Sequence, residues 1–244
     1  MRTWNLTDYC ATNLNLDVLV RYGPLKAWIR ERYPDAVLIL DVGSGPAGAG
    51  HFLGCPAVGV DTEFNLNRIS RFLTPVIADA TLLPFSDGAF DVVVSIDTLE
   101  HIPAERRADL VKELVRVARK HVVIGVPTGA AAADQDTQLD RFYSRHHGER
   151  HHFLIEHLLY GLPKQSEIER TIRSAAEEKG KAVRIRPIGN ANLTARAIYM
   201  RIGLHPNVLL KALYVFLSLL RYVAPVVNSG PFYRKIFFCE LEEA

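Results

Sequence analysis

Three aspartates of this 244-residue chain each follow directly on a run of apolar residues typical of a buried parallel strand. They are Asp41, Asp61 and Asp79. Open α/β sheets bind ligands beyond the carboxyl ends of their strands, so residues that follow successive strands meet at one edge. The spacing therefore predicts a ligand site at one sheet edge, lined by carboxylates.

A glycine-rich turn, 43-GSGPAG-48, follows the first of these strands. Gly43, Gly45 and Gly48 have the spacing of a dinucleotide fingerprint, and Asp61 lies near its acidic position about 20 residues on. An NAD enzyme is therefore one interpretation. Asp41 argues against it, because a pyrophosphate at this turn would meet a like charge at short range. S-adenosylmethionine has no phosphate and carries two cationic groups, so an acidic neighbour suits it better.

Histidines are the candidates for proton transfer, because the imidazole pKa lies near neutrality. His101 follows the fourth predicted strand, while His146 and His147 begin the stretch HHGERHH after the fifth. These positions favour a catalytic base near the acceptor. The alternatives are that His101 only caps or packs beneath the next helix, and that the histidine-rich stretch is a solvated, flexible loop or a metal site.

Strands and helices that could position these residues alternate along the chain. Further strands are predicted at 90–96, 121–126, 183–188 and 232–241, and helices at 13–33, 103–120 and 165–180. We expect the first helix to break at Gly23 and Pro24. Such alternation indicates βαβ units and a mainly parallel sheet. We predict one domain over 1–244, with a cofactor-binding core at 36–127, an acceptor-side insertion at 128–164 and an apolar helical insertion at 190–231.

Composition limits the class of protein. The chain is 48% hydrophobic and 23% charged with a net charge of +2, so it has no strong overall attraction to nucleic acid. Its three cysteines, Cys10, Cys55 and Cys239, are far apart and suggest no disulfide framework. The N-terminal residues lack the apolar core of a signal peptide. A cytoplasmic protein is the expectation.

Residues 208–224 are apolar almost all round a helix, with Lys211, Ser218 and Arg221 interrupting the run. Three interpretations compete. The segment could be a core or homodimer helix, a dock for a lipid-like substrate or membrane surface, or a true membrane span. The last is disfavoured, because the run falls short of the roughly 20 clean apolar residues that a span needs.

The segments 38–48, 58–61, 76–103 and 113–127 together resemble class I S-adenosylmethionine-dependent methyltransferases of the small-molecule type, a group that includes quinone-biosynthesis enzymes. One departure is Ala47, where the family usually has glycine. The resemblance implies a Rossmann-like, doubly wound α/β fold. Its sheet would have seven mostly parallel strands, with the last strand antiparallel.

The resemblance also implies roles for residues at the strand ends. Asp41 would lie near the cofactor's amino group, Asp61 would accept hydrogen bonds from the ribose hydroxyls, and Asp79 would accept one from the adenine amine. The remaining cofactor residues implied are Gly43, Ser44, Gly45, Thr62, Ala80 and Ser95. Any one of the aspartates could instead be a helix cap or a turn residue.

The function that the resemblance implies is methyl transfer from S-adenosylmethionine to a small-molecule or lipid- or glycan-linked acceptor. An NAD-dependent oxidoreductase and a non-catalytic cofactor-binding protein are the alternatives. Nucleic acid is not expected as a substrate, since residues 97–100 read Asp-Thr-Leu-Glu where base-modifying relatives have Asn-Pro-Pro-aromatic. No metal is expected either. The chain has Asp97 but Pro127, Thr128 and Gly129 where metal-dependent catechol-type enzymes have ligands.

Overall fold

The computed structural model describes residues 16–219 and 228–243. The predictions for residues 13–15 and 220–224, and the cysteine Cys10, lie outside these ranges. The strands are β1 Ile39–Val42, β2 Ala57–Asp61, β3 Leu73–Ile77, β4 Phe90–Ile96, β5 Ala118–Pro127, β6 Lys181–Asn192 and β7 Phe232–Glu243. The helices are α1 Leu16–Arg32, α2 Gly48–Leu53, α3 Arg107–Val117, α4 Ala130–His147, α5 His152–Tyr160, α6 Gln165–Glu178, α7 Leu193–Gly203 and α8 Val208–Leu219.

The strands form one seven-stranded sheet in the order β3-β2-β1-β4-β5-β7-β6. Strands β1 to β5 pair in parallel, and β7 is antiparallel to both of its neighbours, β5 and β6. The predicted α/β fold, with a mostly parallel sheet and an antiparallel last strand, is confirmed. The carboxyl ends of β1, β2, β3 and β4 consequently lie along one edge.

Both faces of the sheet are covered, as doubly wound folds require. Val92 and Val94 of β4 pack in a cluster with Leu25 of α1. On the opposite face, Val93 packs in a cluster with Leu114 of α3 and residues of α6. These side chains are all fully buried, and the alternation along β4 follows from the two-residue period of a strand.

Helix α1 runs without interruption through Pro24, so the predicted break is wrong. Proline has no N–H and would leave the carbonyl of Val20, four residues earlier, without its helical partner. The side chain of Asn190, on β6, donates a hydrogen bond to that carbonyl at 2.8 Å. A tertiary contact therefore replaces the lost helical bond.

Residues 128–164, with their weak apolar periodicity, contain helices α4 and α5 rather than a flexible loop. The buried face of α4 carries Asp136 and Asp140 beside Ala132 and Leu139. Because charged residues occupy half of that face, its helical period does not show in hydropathy. The segment predicted as an apolar helical insertion holds α7 and α8, between β6 and β7.

Helices α7 and α8 pack through stacked rings of Tyr199 and Tyr214, whose centroids are 4.4 Å apart. The outer side of α8 leaves Val208, Leu209 and Phe216 more than half exposed. Among residues 16–219 and 228–243, no helix has both the length and the hydropathy needed to cross a membrane.

Candidate active site

The glycine-rich turn connects β1 to α2 and lies against the end of β2. The backbone amides of Gly43 and Ser44 both donate hydrogen bonds to the carbonyl of Val60, at 2.8 and 3.1 Å. Gly43 has a φ of +76°, and a Cβ placed there would collide with the side chain of Thr98. Only glycine fits this position, because it combines a left-handed backbone with close packing.

Asp61 ends β2 and faces the same turn. One carboxylate oxygen accepts a hydrogen bond from the amide of Gly45 at 2.9 Å, and the other accepts one from the amide of Thr62 at 2.8 Å. Gly45 has a φ of +55° and no atom within 4 Å of where its Cβ would lie. The structure thus brings Gly43, Gly45, Asp61 and Thr62 together around an open stretch of backbone.

Asp41 lies beneath the turn rather than at its mouth, because β1 continues to Val42. Its side chain is 1% exposed and accepts a hydrogen bond from the amide of Ala49, in the first turn of α2, at 2.6 Å. Burial raises the pKa of Asp41 to about 7, and the nearby charge of Asp61 adds to the effect. Asp41 therefore orders the start of α2.

Asp79 lies two residues beyond β3, at the exposed rim of the edge. It accepts hydrogen bonds from the amide and hydroxyl of Thr81, at 2.9 and 2.8 Å, and forms an ion pair with Arg106 at 3.0 Å. The hydrogen bonds from Thr81 are the main cause that lowers the pKa of Asp79. Ala80 follows in the same loop. Because the ion pair is half exposed, Arg106 can give way to a ligand at small cost.

Ser95 lies near the end of β4, where it pairs with Ile124 of β5. The residue is 2% exposed, and its hydroxyl has no hydrogen-bond partner within the described part of the chain. Buried hydroxyls are normally paired, so an unpaired one at a predicted cofactor position fits a ligand that would supply the partner.

Beyond β4 the chain turns sharply at Asp97, a non-glycine residue with a φ of +55°. Both of its carboxylate oxygens accept hydrogen bonds from Arg234 at 2.5 Å, and Arg21 lies 3.1 Å away. Burial opposes ionisation, but the charges of Arg21 and Arg234 outweigh it and hold the pKa of Asp97 below its ordinary value. Sequence analysis missed both arginines, since α1 and β7 are distant from Asp97 in the chain.

A second buried polar group lies between α4, α5 and β7. Asp136 is fully buried and accepts hydrogen bonds from the hydroxyl of Tyr233 at 2.9 and 3.0 Å. His157 lies 2.8 Å from Asp136 through Nδ1, and Arg196 lies 3.3 Å from it. The guanidinium of Arg196 also stacks on the ring of Tyr233 at 3.3 Å. The sequence pattern marked none of Asp136, Arg196 and Tyr233, because they meet only in the fold.

His101 lies beside this group, in the 3-10 turn Leu99–His101. Its Nδ1 lies 2.6 Å from a carboxylate oxygen of Glu156, and its ring centroid is 4.8 Å from that of His157. Burial lowers the pKa of His101, and the charge of His157 adds to this. The adjacent Glu100 is 1% exposed, and burial raises its pKa well above the ordinary value.

These polar groups line a cavity of about 200 Å³. Its charged and imidazole side chains include Asp97, Glu100, His101, His157, Arg196 and Arg234. Thr98 follows Asp97, which lines the cavity, and the Thr98 side chain lies against Gly43 of the glycine turn. Its hydroxyl donates a hydrogen bond to the carbonyl of Val42 at 3.2 Å. The turn and one wall of the cavity are therefore formed by adjacent residues of the chain.

His146 and His147 do not line this cavity. Both are exposed in the last turn of α4 and contact backbone carbonyls, of Phe142 at 2.8 Å and of Leu204 at 2.7 Å. Of the three predicted catalytic histidines, the structure brings His101 alone to the cavity. His151 and His157, from the same histidine-rich region, also line it.

Residues 40–124 match a sequence family described as a methyltransferase domain. The chain contains a class I S-adenosylmethionine-dependent methyltransferase domain. The match covers the glycine turn, the three aspartates, Ser95 and His101. S-adenosylmethionine is the cofactor of this methyltransferase domain, which decides between the two interpretations of its glycine-rich turn.

Two curated relatives are similar to the methyltransferase domain over part of their length. A tRNA (carboxymethyluridine(34)-5-O)-methyltransferase of Xenopus tropicalis is 37% identical over 94 residues, which cover 36% of this chain and 14% of the relative. The chloroplastic tocopherol O-methyltransferase of Arabidopsis thaliana is 34% identical over 101 residues, which cover 33% of this chain and 26% of the relative. Because a tRNA enzyme is among them, the expectation that nucleic acid is excluded finds no support.

A solved structure extends the similarity to nearly the whole chain at the level of fold. The magnesium protoporphyrin IX methyltransferase of Synechocystis PCC 6803, solved with bound S-adenosylhomocysteine, has a TM-score of 0.50 and 14% sequence identity. The similarity covers 98% of this chain and 89% of that one. The arrangement of strands around the methyltransferase domain is thus a known one.

Proposed function

We propose that this chain transfers a methyl group from S-adenosylmethionine to a polar atom of a small-molecule or lipid- or glycan-linked acceptor. The observation that carries this proposal is the charged cavity lined by Asp97, whose neighbour in the chain, Thr98, lies against Gly43 of the glycine turn. When bound, S-adenosylmethionine supplies a methyl group already activated by a sulfonium, so the protein has mainly to position the acceptor and exclude water.

The residues at the sheet edge fit this cofactor. The backbone at Gly43, Ser44 and Gly45 is open to close approach, and both oxygens of Asp61 keep lone pairs for ribose hydroxyls beside the amides that orient them. We assign Thr62 to the same contact. Asp79 and Ala80 would receive the adenine, and Ser95 and Asp41 would lie toward the methionine part.

The reacting group of the acceptor would enter the cavity. A volume of about 200 Å³ is smaller than a typical drug-sized pocket and suits a polar head group rather than a whole carrier. Of the histidines predicted to be catalytic, we propose that His101 contributes to activating the acceptor, because it lines the cavity.

Apolar side chains beside the cavity favour an acceptor joined to an apolar carrier. Phe153 of α5 lines the cavity and is 52% exposed, and Met200 and Leu204 line it on the side of α7. Beyond Leu204 the exposed apolar residues of α8 begin. A lipid chain, or a membrane surface that contains it, could lie along these residues while its polar end is methylated.

Methyl transfer from radiolabelled S-adenosylmethionine to three separate pools tests this proposal: polar metabolites, a lipid extract and tRNA. We expect label in the lipid or polar pool, and loss of that label in Asp61→Ala but not in Glu63→Gln, an exposed neighbouring carboxylate. Label confined to tRNA would overturn the assigned acceptor class. Absence of label from all three pools, in protein that binds S-adenosylhomocysteine, would overturn the proposed activity.

A further inference from the structure

We propose that Glu100, His101 and His157 bind a divalent transition-metal ion inside the cavity. One candidate ligand atom from each of these residues lies within 4.8 Å of the other two. Two imidazoles and one carboxylate form a donor set that occurs in zinc and non-haem iron sites. The proposal departs from the expectation of no metal, which rested on Asp97 and residues 127–129.

Each of the two imidazoles has a carboxylate at its Nδ1. Nδ1 of His101 lies 2.6 Å from Glu156, and Nδ1 of His157 lies 2.8 Å from Asp136. A carboxylate at Nδ1 fixes the N–H there and leaves the lone pair on Nε2, as in the carboxylate–histidine pairs around bound metals. The two supporting carboxylates belong to different helices, α5 and α4.

Two of the proposed ligand residues carry buried polar atoms without partners among the described residues. Nε2 of His157 and Oε2 of Glu100 are buried, and neither has a hydrogen-bond partner among the described residues. Nε2 of His157 and Oε1 of Glu100 lie 4.0 Å apart, too far for a hydrogen bond but close enough to share an ion. Unpaired buried polar groups are costly, and an ion bound by Nε2 of His157 and by both oxygens of the Glu100 carboxylate would satisfy them.

The neighbouring carboxylates are already committed and explain why Glu100 is the acidic ligand. Asp97 is held by Arg234 and Arg21, and Asp136 by Tyr233 and His157. Imidazole nitrogens favour Zn²⁺, Fe²⁺ or Co²⁺ over Mg²⁺ and Ca²⁺, which prefer oxygen ligands. We therefore expect Zn²⁺ to bind more tightly than Mg²⁺.

Three protein ligands leave coordination positions for the acceptor. A hydroxyl oxygen bound there would lose its proton to solvent more readily and then form a bond to the methyl carbon, while that carbon's bond to sulfur breaks. The products are a methyl ether, S-adenosylhomocysteine and a proton. This activating role rests on the proposed function, whereas metal binding does not.

The test of this site is a calorimetric titration of the full chain with Zn²⁺, after a chelator has removed bound metal. The absorption spectrum of the Co²⁺-loaded protein reports which types of ligand hold the ion. We expect one ion per chain. Glu156 contacts His101 and is not itself a proposed ligand, so Glu156→Gln should weaken Zn²⁺ binding about 10–100-fold. His101→Gln and Glu100→Gln, which remove ligands, should weaken it by more. Because Oε2 of Glu100 is buried without a partner in the described part of the chain, Glu100→Gln should also fold with a melting temperature at least equal to that of the unaltered chain.

The matched control is His152→Gln, an exposed histidine of the same helix α5, which should leave Zn²⁺ affinity unchanged. Equal affinity in His101→Gln and the unaltered chain, or a loss of affinity in His152→Gln, would overturn the proposal and indicate adventitious binding by surface histidines. If His157→Gln fails to fold, His101→Gln decides the question alone, since its side chain is 23% exposed. S-adenosylhomocysteine titration of the same proteins reports the cofactor site separately.

Discussion

The two halves of the candidate active site are built in different ways. The cofactor half consists of turns at the ends of β1, β2 and β3, and its contacts are mainly between backbone amides and nearby carboxylates. The acceptor half consists mainly of charged and imidazole side chains from α1, α5, α7, β7 and the turn that follows β4. The first half is thus a local product of strand and turn, while the second exists only after distant segments have packed.

The largest effect should come from breaking the acceptor half. Arg234→Met would leave Asp97 buried without its bidentate partner, which should lower the free energy of unfolding by about 3–5 kcal/mol. Urea denaturation measures this loss of stability. Arg184→Met, on exposed β6, removes two surface ion pairs and should cost at most about 1 kcal/mol. Equal losses of free energy of unfolding in the two variants would mean that the buried ion pairs of Arg234 contribute no more to stability than surface ion pairs do.

A pH effect should mark the cofactor half, where Asp41 is buried with no cationic partner among the described residues. Its pKa is raised from 3.8 to about 7, so the folded state binds the proton more tightly than the unfolded state. The free energy of unfolding should therefore fall as the pH rises from about 4 to 7, by at most about 4 kcal/mol. Asp41→Asn should remove this pH-dependent contribution. If the free energy of unfolding of the two proteins changed with pH in parallel, the raised pKa of Asp41 would be contradicted.

Asp61→Ala sharpens the comparison, because it should affect one half alone. Loss of the ribose acceptor should weaken S-adenosylhomocysteine binding by about 1–3 kcal/mol, while Zn²⁺ affinity stays unchanged. Calorimetric titration measures both, with Glu63→Gln as the control. A folded Asp61→Ala protein that retains full cofactor affinity would refute the ribose assignment.

The smallest effect should come from Arg106, at the exposed rim of the sheet edge. Arg106→Ala removes a half-exposed ion pair with Asp79, so S-adenosylhomocysteine affinity should change by less than about 1 kcal/mol. A larger loss, measured by the same titration, would show that Arg106 itself contacts the cofactor.

Sequence reasoning succeeded where structure is local. The strand ends, the glycine turn and the position of Asp61 beside that turn could be predicted, because each depends on residues close in the chain and on a regular fold. It failed for Asp97 and Arg234, which lie 137 residues apart and meet only through the placement of β7 beside β5. It also failed for α4, whose buried face is half charged, and at Pro24, where Asn190 supplies the missing hydrogen bond.

The central claim is that the open backbone at Gly45 and the carboxylate of Asp61 hold an adenosyl cofactor beside the charged cavity. A crystal structure of the chain with S-adenosylhomocysteine tests it most directly. We predict ribose hydroxyls on Asp61, adenine toward Asp79, and the sulfur directed toward the cavity of His101. A glycine turn without ligand at saturating concentration, or the cofactor bound elsewhere, would contradict the account.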